Sequence, residues 1–202
     1  MGAFDEIVSG GPYAVYIAPV GQAMPIPWSP TPHKPWVLLG VHGPLSMTET
    51  GIAISQSQTI NKVYALGTTA PVEAFRVQEE FEISFEFHDL TPGTWGKILR
   101  GVNGAVEQVT PGGGRGGYRT LDLLRGGKVE QFAVCVRLDV SPHDDTLTSQ
   151  FEIPRAIQSA DQAPTFDKGS TPAVLAATFT ALFDPHQGTT ARWRTMYAPW
   201  AP

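Results

Sequence analysis

The stretch AFRVQEEFEISFEFHDL at residues 74–90 narrows most what this chain can fold into. Phe75, Val77, Phe81, Ile83, Phe85 and Phe87 fall at every second position, broken only by Glu79, while Arg76, Gln78, Glu80, Glu82, Ser84, Glu86 and His88 fill the alternate positions. Side chains alternate between faces along a strand, so this period specifies a β-strand with one apolar face and one charged face. The fold must supply a core for the first. The second must stay wet, because glutamates at i and i+2 on one face repel each other.

Residues 13–20 (YAVYIAPV), 36–39, 51–55 (GIAIS), 118–124, 129–140, 149–157 and 174–183 also read as strands, with a polar strand or loop over 56–61 and a short apolar piece at 63–66. In 129–140, Phe132, Val134, Val136, Leu138 and Val140 share one face. Residues 21–35 (GQAMPIPWSPTPHKP) hold five prolines, which neither donate to a ladder nor sit inside a helix, so a long stiffened loop is expected. One helix is predicted in LTPGTWGKILRG: Thr91 is its N-cap, Pro92 its first residue, Trp95, Ile98 and Leu99 its apolar face, and Gly101 its stop. Gly93 and Gly96 weaken it, so packing must hold it. PGGGRGG at 111–117 reads as a flexible loop.

Many strands and one short helix give a mainly β fold: an antiparallel β-sandwich or barrel with one flanking α-helix, a long Pro-rich loop and extended N- and C-terminal arms. Residues 1–185 are expected to form a single domain and 186–202 a C-terminal arm. In that arm Trp193, Met196, Tyr197 and Trp200 would be exposed on a lone subunit, so they call for a surface to land on.

The 202 residues are 42% apolar and only 16% charged, with 21 Gly and 18 Pro, which suits a turn-rich β protein. So little charge also points to surface hidden in an assembly. The net charge of −5, with basic residues scattered, argues against gripping nucleic acid through its phosphates. No apolar run is long enough to span a bilayer and no signal core begins the chain, so synthesis in cytoplasm is expected. Cys135 is the sole cysteine, which excludes an intrachain disulfide or a Cys-rich zinc site. Within FAVCVRLDV it reads as a packed strand residue.

Chemistry-bearing motifs are weak. Gly112, Gly114 and Gly117 spell G-x-G-x-x-G, but a strand rather than a helix follows them. His33, His42, His88, His143 and His186 form neither HxH nor HExxH, and His143-Asp144-Asp145 reads as a solvated turn. No G-x-S-x-G elbow is present, and Glu80 with Glu82 reads as charged surface rather than a glycosidase pair. No catalytic residue, metal or cofactor is expected. Several copies of the 74–90 strand lining a ring would make an acidic hole whose walls repel a polyanion such as DNA. On the residues alone a plain solvent-facing outer sheet surface is the favoured reading of that face, and a monomeric sugar-binding β-sandwich using Trp28 and Trp200 is the alternative.

Three segments, taken in order, resemble the major tail tube protein of long, non-contractile-tailed (siphovirus-type) bacteriophages. They are YAVYIAPVGQAMP leading to WVLLGVHGPLSMTETGIAIS, then VYALGTTAPVEAFRVQEEFEISFEFHDLTPGTWGKILRG, then FEIPRAIQSADQAPTFDKGSTPAVLAATFTALFDP. The Gly-rich loop and the aromatic tail depart from that pattern. The resemblance implies a non-enzymatic virion protein, made in the host cytoplasm and carried in the tail. Six β-sandwich subunits form a ring whose inner sheets join into one barrel, and rings stack into a tube around a tape-measure protein. Tail initiator and terminator proteins are further partners; DNA passes through without specific binding, and no membrane is involved. Carried onto this sequence, it implies that Glu80, Glu82 and Glu86 face the channel on a strand paired with 129–140. Phe81, Ile83, Phe85 and Phe87 would pack on the helix through Trp95, Ile98 and Leu99. The Pro-rich loop, with Trp28 and Pro30, would contact the next ring, and Trp193, Tyr197 and Trp200 would dock on a neighbouring subunit. Tail terminators, baseplate rings and type VI secretion tubes, which share the fold, remain open.

Overall fold

The computed structural model describes residues 14–29, 31–104, 106–124, 126–139, 148–161, 163–164, 166 and 173–196. Its elements are β1 (Ala14–Pro19), β2 (Val37–Leu38), β3 (Met47–Tyr64), β4 (Pro71–Phe87), α1 (Pro92–Arg100), β5 (Glu107–Val109), β6 (Tyr118–Thr120), β7 (Gln131–Arg137), β8 (Ser149–Gln158), β9 (Leu175–Ala181) and β10 (Arg192–Thr195). The main sheet runs β2-β1-β7-β8-β9-β4-β3, with β10 also on β8, and every pairing in it is antiparallel.

β8 is the corner at which this sheet folds over itself. Val134 pairs with Ile153 but Phe132 with Ala156, so β8 carries one extra residue around Pro154, where a missing N–H costs no ladder bond. Before the bulge the far edge of β8 pairs with β10, and after it with β9. Two layers result. Val15, Ile17, Phe132, Val134, Val136 and Ile153 on one side meet Ile83, Phe85, Phe87, Leu175 and Phe179 on the other in a single core. Phe85, Phe87, Phe132 and Phe179 meet edge-on or tilted, with ring centroids 5.2–5.5 Å apart.

α1 closes one side of this core. Thr91 Oγ1 accepts from the Thr94 amide at 3.3 Å, and Gly101 ends the helix at φ 68°, where a Cβ would lie 3.1 Å from Phe132. Gly96 weakens the helix for a reason: a Cβ there would lie 3.2 Å from the Leu121 side chain and 3.4 Å from the Gly104 carbonyl oxygen. A Cβ on Gly104 would sit 2.2 Å from the Gly96 carbonyl oxygen, so the chain crosses the helix at backbone contact.

Several sequence expectations are corrected. The pieces at 51–66 are one continuous 18-residue strand, β3, because its polar middle needs only a cross-strand partner, which β4 supplies. The partners of β4 are β3 and β9, not the 129–140 strand, which instead lies between β1 and β8 in the other layer. The Gly-rich segment is the turn of a small β5–β6 hairpin closed by a Gly112–Arg115 bridge, and strand 118–124 shortens to Tyr118–Thr120. Residues 186–195, read as the start of an arm, stay with the domain: Thr189 bridges Asp184, and 192–195 form β10.

Candidate assembly surface

β9 reaches β4 only from Glu82 to Phe87, and among the described residues nothing pairs with the outer edge of β3. From Gln58 and Glu79 outward the hairpin therefore stands alone with two open edges, projecting about 25 Å at roughly 3.4 Å per residue. It turns at Gly67, φ 95°, where Thr68 Oγ1 donates to the Ala70 carbonyl at 2.9 Å. Ile60, Val63, Tyr64, Val72, Phe75 and Val77 are exposed along it.

Glu79, which breaks the apolar alternation, marks where the core ends. It accepts from Gln56 Nε2 and, at 3.2 Å, from an Arg76 guanidinium nitrogen, whose Nε donates to Gln58 Oε1 at 2.9 Å. This polar cluster takes over the face that Phe81 begins. Beyond it the pairing slips between Thr59 and Ile60. A two-stranded ribbon with open edges is marginal alone and is a template for further pairing.

On the face of β4 turned from the core, Glu80, Glu82 and Glu86 are half-buried. Their cross-strand partners are Ser57, Ser55, Thr180 and Ala176, and Glu82 Oε1 accepts from Thr180 Oγ1 at 2.9 Å. Among the described residues none of the three has a cationic partner. Ile83, Phe85 and Phe87 belong to the main core with Ile98. Phe81 and Trp95 pack at its margin, and Leu99 is buried outside it.

The Pro-rich loop is clamped to its own domain. Trp36 and Met24 cover Ala18, Ala133 and Cys135 on the outer face of β1 and β7, and Trp36 Nε1 donates to the Ala23 carbonyl at 3.0 Å. Buried Arg137 donates to the carbonyls of Ser29 and Ile26 and to Gln150 Oε1, while Gln150 Nε2 donates to the Pro25 carbonyl and to Glu152 Oε1, both at 2.6 Å. Glu152, 1% exposed, then holds Arg194 at 3.1 Å and Arg192 at 3.9 Å. The network fastens β10 as well as the loop. Its only sequence signal was an arginine, a glutamine and a glutamate within strands that are otherwise apolar.

Trp28 remains 69% exposed on the clamped loop. Trp193 is also exposed on one face, but its other face stacks on Phe151 of the same chain at 5.5 Å. Pro30, Tyr197, Trp200 and the 143–145 turn lie outside the described residues. Cys135 is fully buried, and burial pushes its thiol up to about 12, which leaves it inert as a nucleophile. Burial works to raise the Asp89 pKa, but bonds from Thr94 Oγ1 and the Val41 and Thr91 amides outweigh it, so the carboxyl titrates below its ordinary value. That carboxylate ties the start of α1 to the loop before β3. Among the described residues no cluster of His, Cys, Asp or Glu is arranged to hold a metal.

No protein-family model and no curated protein matches the chain. Fifteen chains of solved structures do. One, from the cryo-EM structure of the anti-feeding prophage (AFP) baseplate, 6-fold symmetrised, is similar over 92% of this chain and 92% of its own, at 11% identity and a TM-score of 0.45. A likeness that distant assigns neither family nor role.

Proposed function

We propose that this chain is a structural, non-enzymatic subunit of a phage-tail-type assembly, and within that class a tail tube subunit whose copies form stacked hexameric rings. The observation that carries the reading is the projecting β3–β4 ribbon, which leaves two strand edges and a row of apolar side chains for a neighbour to cover. The ordered sequence resemblance supplies the kind of assembly. In such a ring the acidic face of β4, with Glu80, Glu82 and Glu86, lines the channel, and uncompensated carboxylates there keep passing DNA off the wall. Trp28 and the segment beyond Thr195, with Tyr197 and Trp200, contact neighbouring subunits, and the virion tail is the site of action.

Negative-stain electron microscopy across a concentration series, with mass measured in solution, tests the reading. Hollow rings or tubes are expected. A monomer at every concentration that a glycan stabilises would favour the sugar-binding alternative instead.

A further inference from the structure

Trp28 and Ile26 stand out of the Pro-rich loop, 69% and 45% exposed, although the backbone that carries them is firmly held. Arg137 and Gln150 grip the carbonyls of Pro25, Ile26 and Ser29 from below, and the Trp36 amide donates to the His33 carbonyl at 3.1 Å. Pro25, Pro27 and Pro32 are buried. A rigid loop thus keeps apolar groups in water along a groove of about 510 Å³, lined by Met24, Ile26, Trp28, Pro32, Pro35 and Trp36. That volume falls in the roughly 300–1,000 Å³ range of ligand sites, and a preformed groove costs little further ordering when it is filled. Among the described residues along it there is no acid, and His33 and Lys34 are its ionisable groups.

The chain delivers an occupant to this groove. Arg194 of β10 pairs with Gln150, whose Nε2 holds the Pro25 carbonyl; Thr195 pairs with Ser149, and the Met196 amide donates to the Thr148 carbonyl at 3.0 Å. After Met196 the sequence runs Tyr197-Ala198-Pro199-Trp200-Ala201-Pro202, six residues without a charge. Pro199 and Pro202 fix φ, and each follows an alanine that the proline biases to extended backbone, so the segment favours polyproline II. Prolines three apart share one face of that helix, the form that aromatic-lined grooves take up. At roughly 3.1 Å per residue the segment reaches about 19 Å, whereas β10 lies only one strand spacing, roughly 4.8 Å, from the strand that grips the loop. Residues 1–13 also join the sheet nearby, since Ala14 pairs with Arg137, but they carry Asp5, Glu6 and three glycines and so are charged and costlier to order.

We propose that residues 197–202 seat on this groove of their own chain, laying Pro199, Trp200 and Pro202 against Trp28 and Ile26. A tether this short presents the segment at roughly millimolar effective concentration, which a second copy does not match in dilute protein. The docking covers apolar side chains that the clamped loop holds in water. It goes beyond the assembly reading above: loop and segment meet a neighbouring subunit as one surface instead of as two separate contacts.

Cys135 is fully buried, so cysteines placed at exposed Thr31 and at Ala201 of the full chain report the docking through disulfide formation in dilute protein. Thr31→Cys/Ala201→Cys should close within the chain, at monomer mass, and adding Trp28→Ala should slow closure about tenfold. Closure that Trp28→Ala leaves unchanged would mean a tethered segment that does not use the groove. Disulfides found only between chains would put the segment on a neighbour, and faster closure of Phe4→Cys/Thr31→Cys would give the groove to residues 1–13. Each of these outcomes, or no closure at all, overturns the docking and leaves the assembly reading standing. Thermal melts establish that each variant is folded. If Trp28→Ala is not, Ile26→Ala replaces it, with about a threefold slowing expected and no slowing counting against the docking.

Discussion

Replacing Phe75 and Val77 with threonine separates folding from assembly. Both lie on the projecting part of β4, 53% and 57% exposed, whereas Phe85 and Phe87 on the same strand are buried in the core. Threonine favours strands, as Phe and Val do, so the ribbon itself is preserved. Full burial of a side chain of this size is worth roughly 1.5–3 kcal/mol, so covering the exposed half of each leaves about 1–1.5 kcal/mol for a neighbour to gain. Together the pair is worth about 2–3 kcal/mol per contact, or roughly 30- to 150-fold in association constant. Surface substitutions away from special features stay within about 0.5 kcal/mol of neutral, so the melting temperature of the unassembled chain should hold to within a few degrees. Analytical ultracentrifugation reads the assembly threshold and circular dichroism reads the melt. A chain that melts much earlier would mean that the ribbon packs on its own domain. An unchanged threshold would mean that no neighbour covers it.

Glu152→Ala should cost about 2–3 kcal/mol in urea unfolding, below the full cost of breaking a buried pair. The reason is that the Arg192 and Arg194 side chains, 42% and 36% exposed, can return to water. Amide exchange at Arg192–Thr195 should rise more than elsewhere, and a loss under about 1 kcal/mol would break the clamp argument. Asp89→Asn should cost about 1–2 kcal/mol at neutral pH. Because the folded Asp89 pKa is depressed, that difference should be full above its ordinary 3.8 and vanish as pH falls through the lower folded value. A difference that persists undiminished at still lower pH would contradict it. Glu80→Lys/Glu82→Lys/Glu86→Lys should leave the core intact but make any channel bind DNA, read as duplex retained by assembled particles. Particles that exclude DNA as before would argue against a channel-facing role.

The strands with a clean period of two were legible because alternation and burial coincide: Ile83, Phe85, Phe87, Phe132, Val134 and Val136 all enter one core. The helix was legible to the residue, since Thr91, Pro92 and Gly101 are local signals that tertiary contacts do not override. What failed was long-range. Alternation fixes which face is apolar but not which strand lies alongside, so β7 was paired with β4 although they sit in opposite layers. The polar middle of β3 hid an 18-residue strand because an exposed ribbon needs no buried face to betray it. Arg137 and Glu152 stand out as charges in otherwise apolar strands but do not show what they clamp, since their partners at Ile26, Ser29 and Arg194 are distant in sequence.

The central claim concerns where the acidic face of β4 goes when copies meet. A cryo-EM reconstruction of the assembled protein, resolved to strands, measures that position relative to the particle axis. The account predicts a hollow particle with Glu80, Glu82 and Glu86 turned toward the channel and each β3–β4 ribbon covered by the neighbouring subunit. A particle with that face on its outer surface, or with the ribbons uncovered, would contradict it.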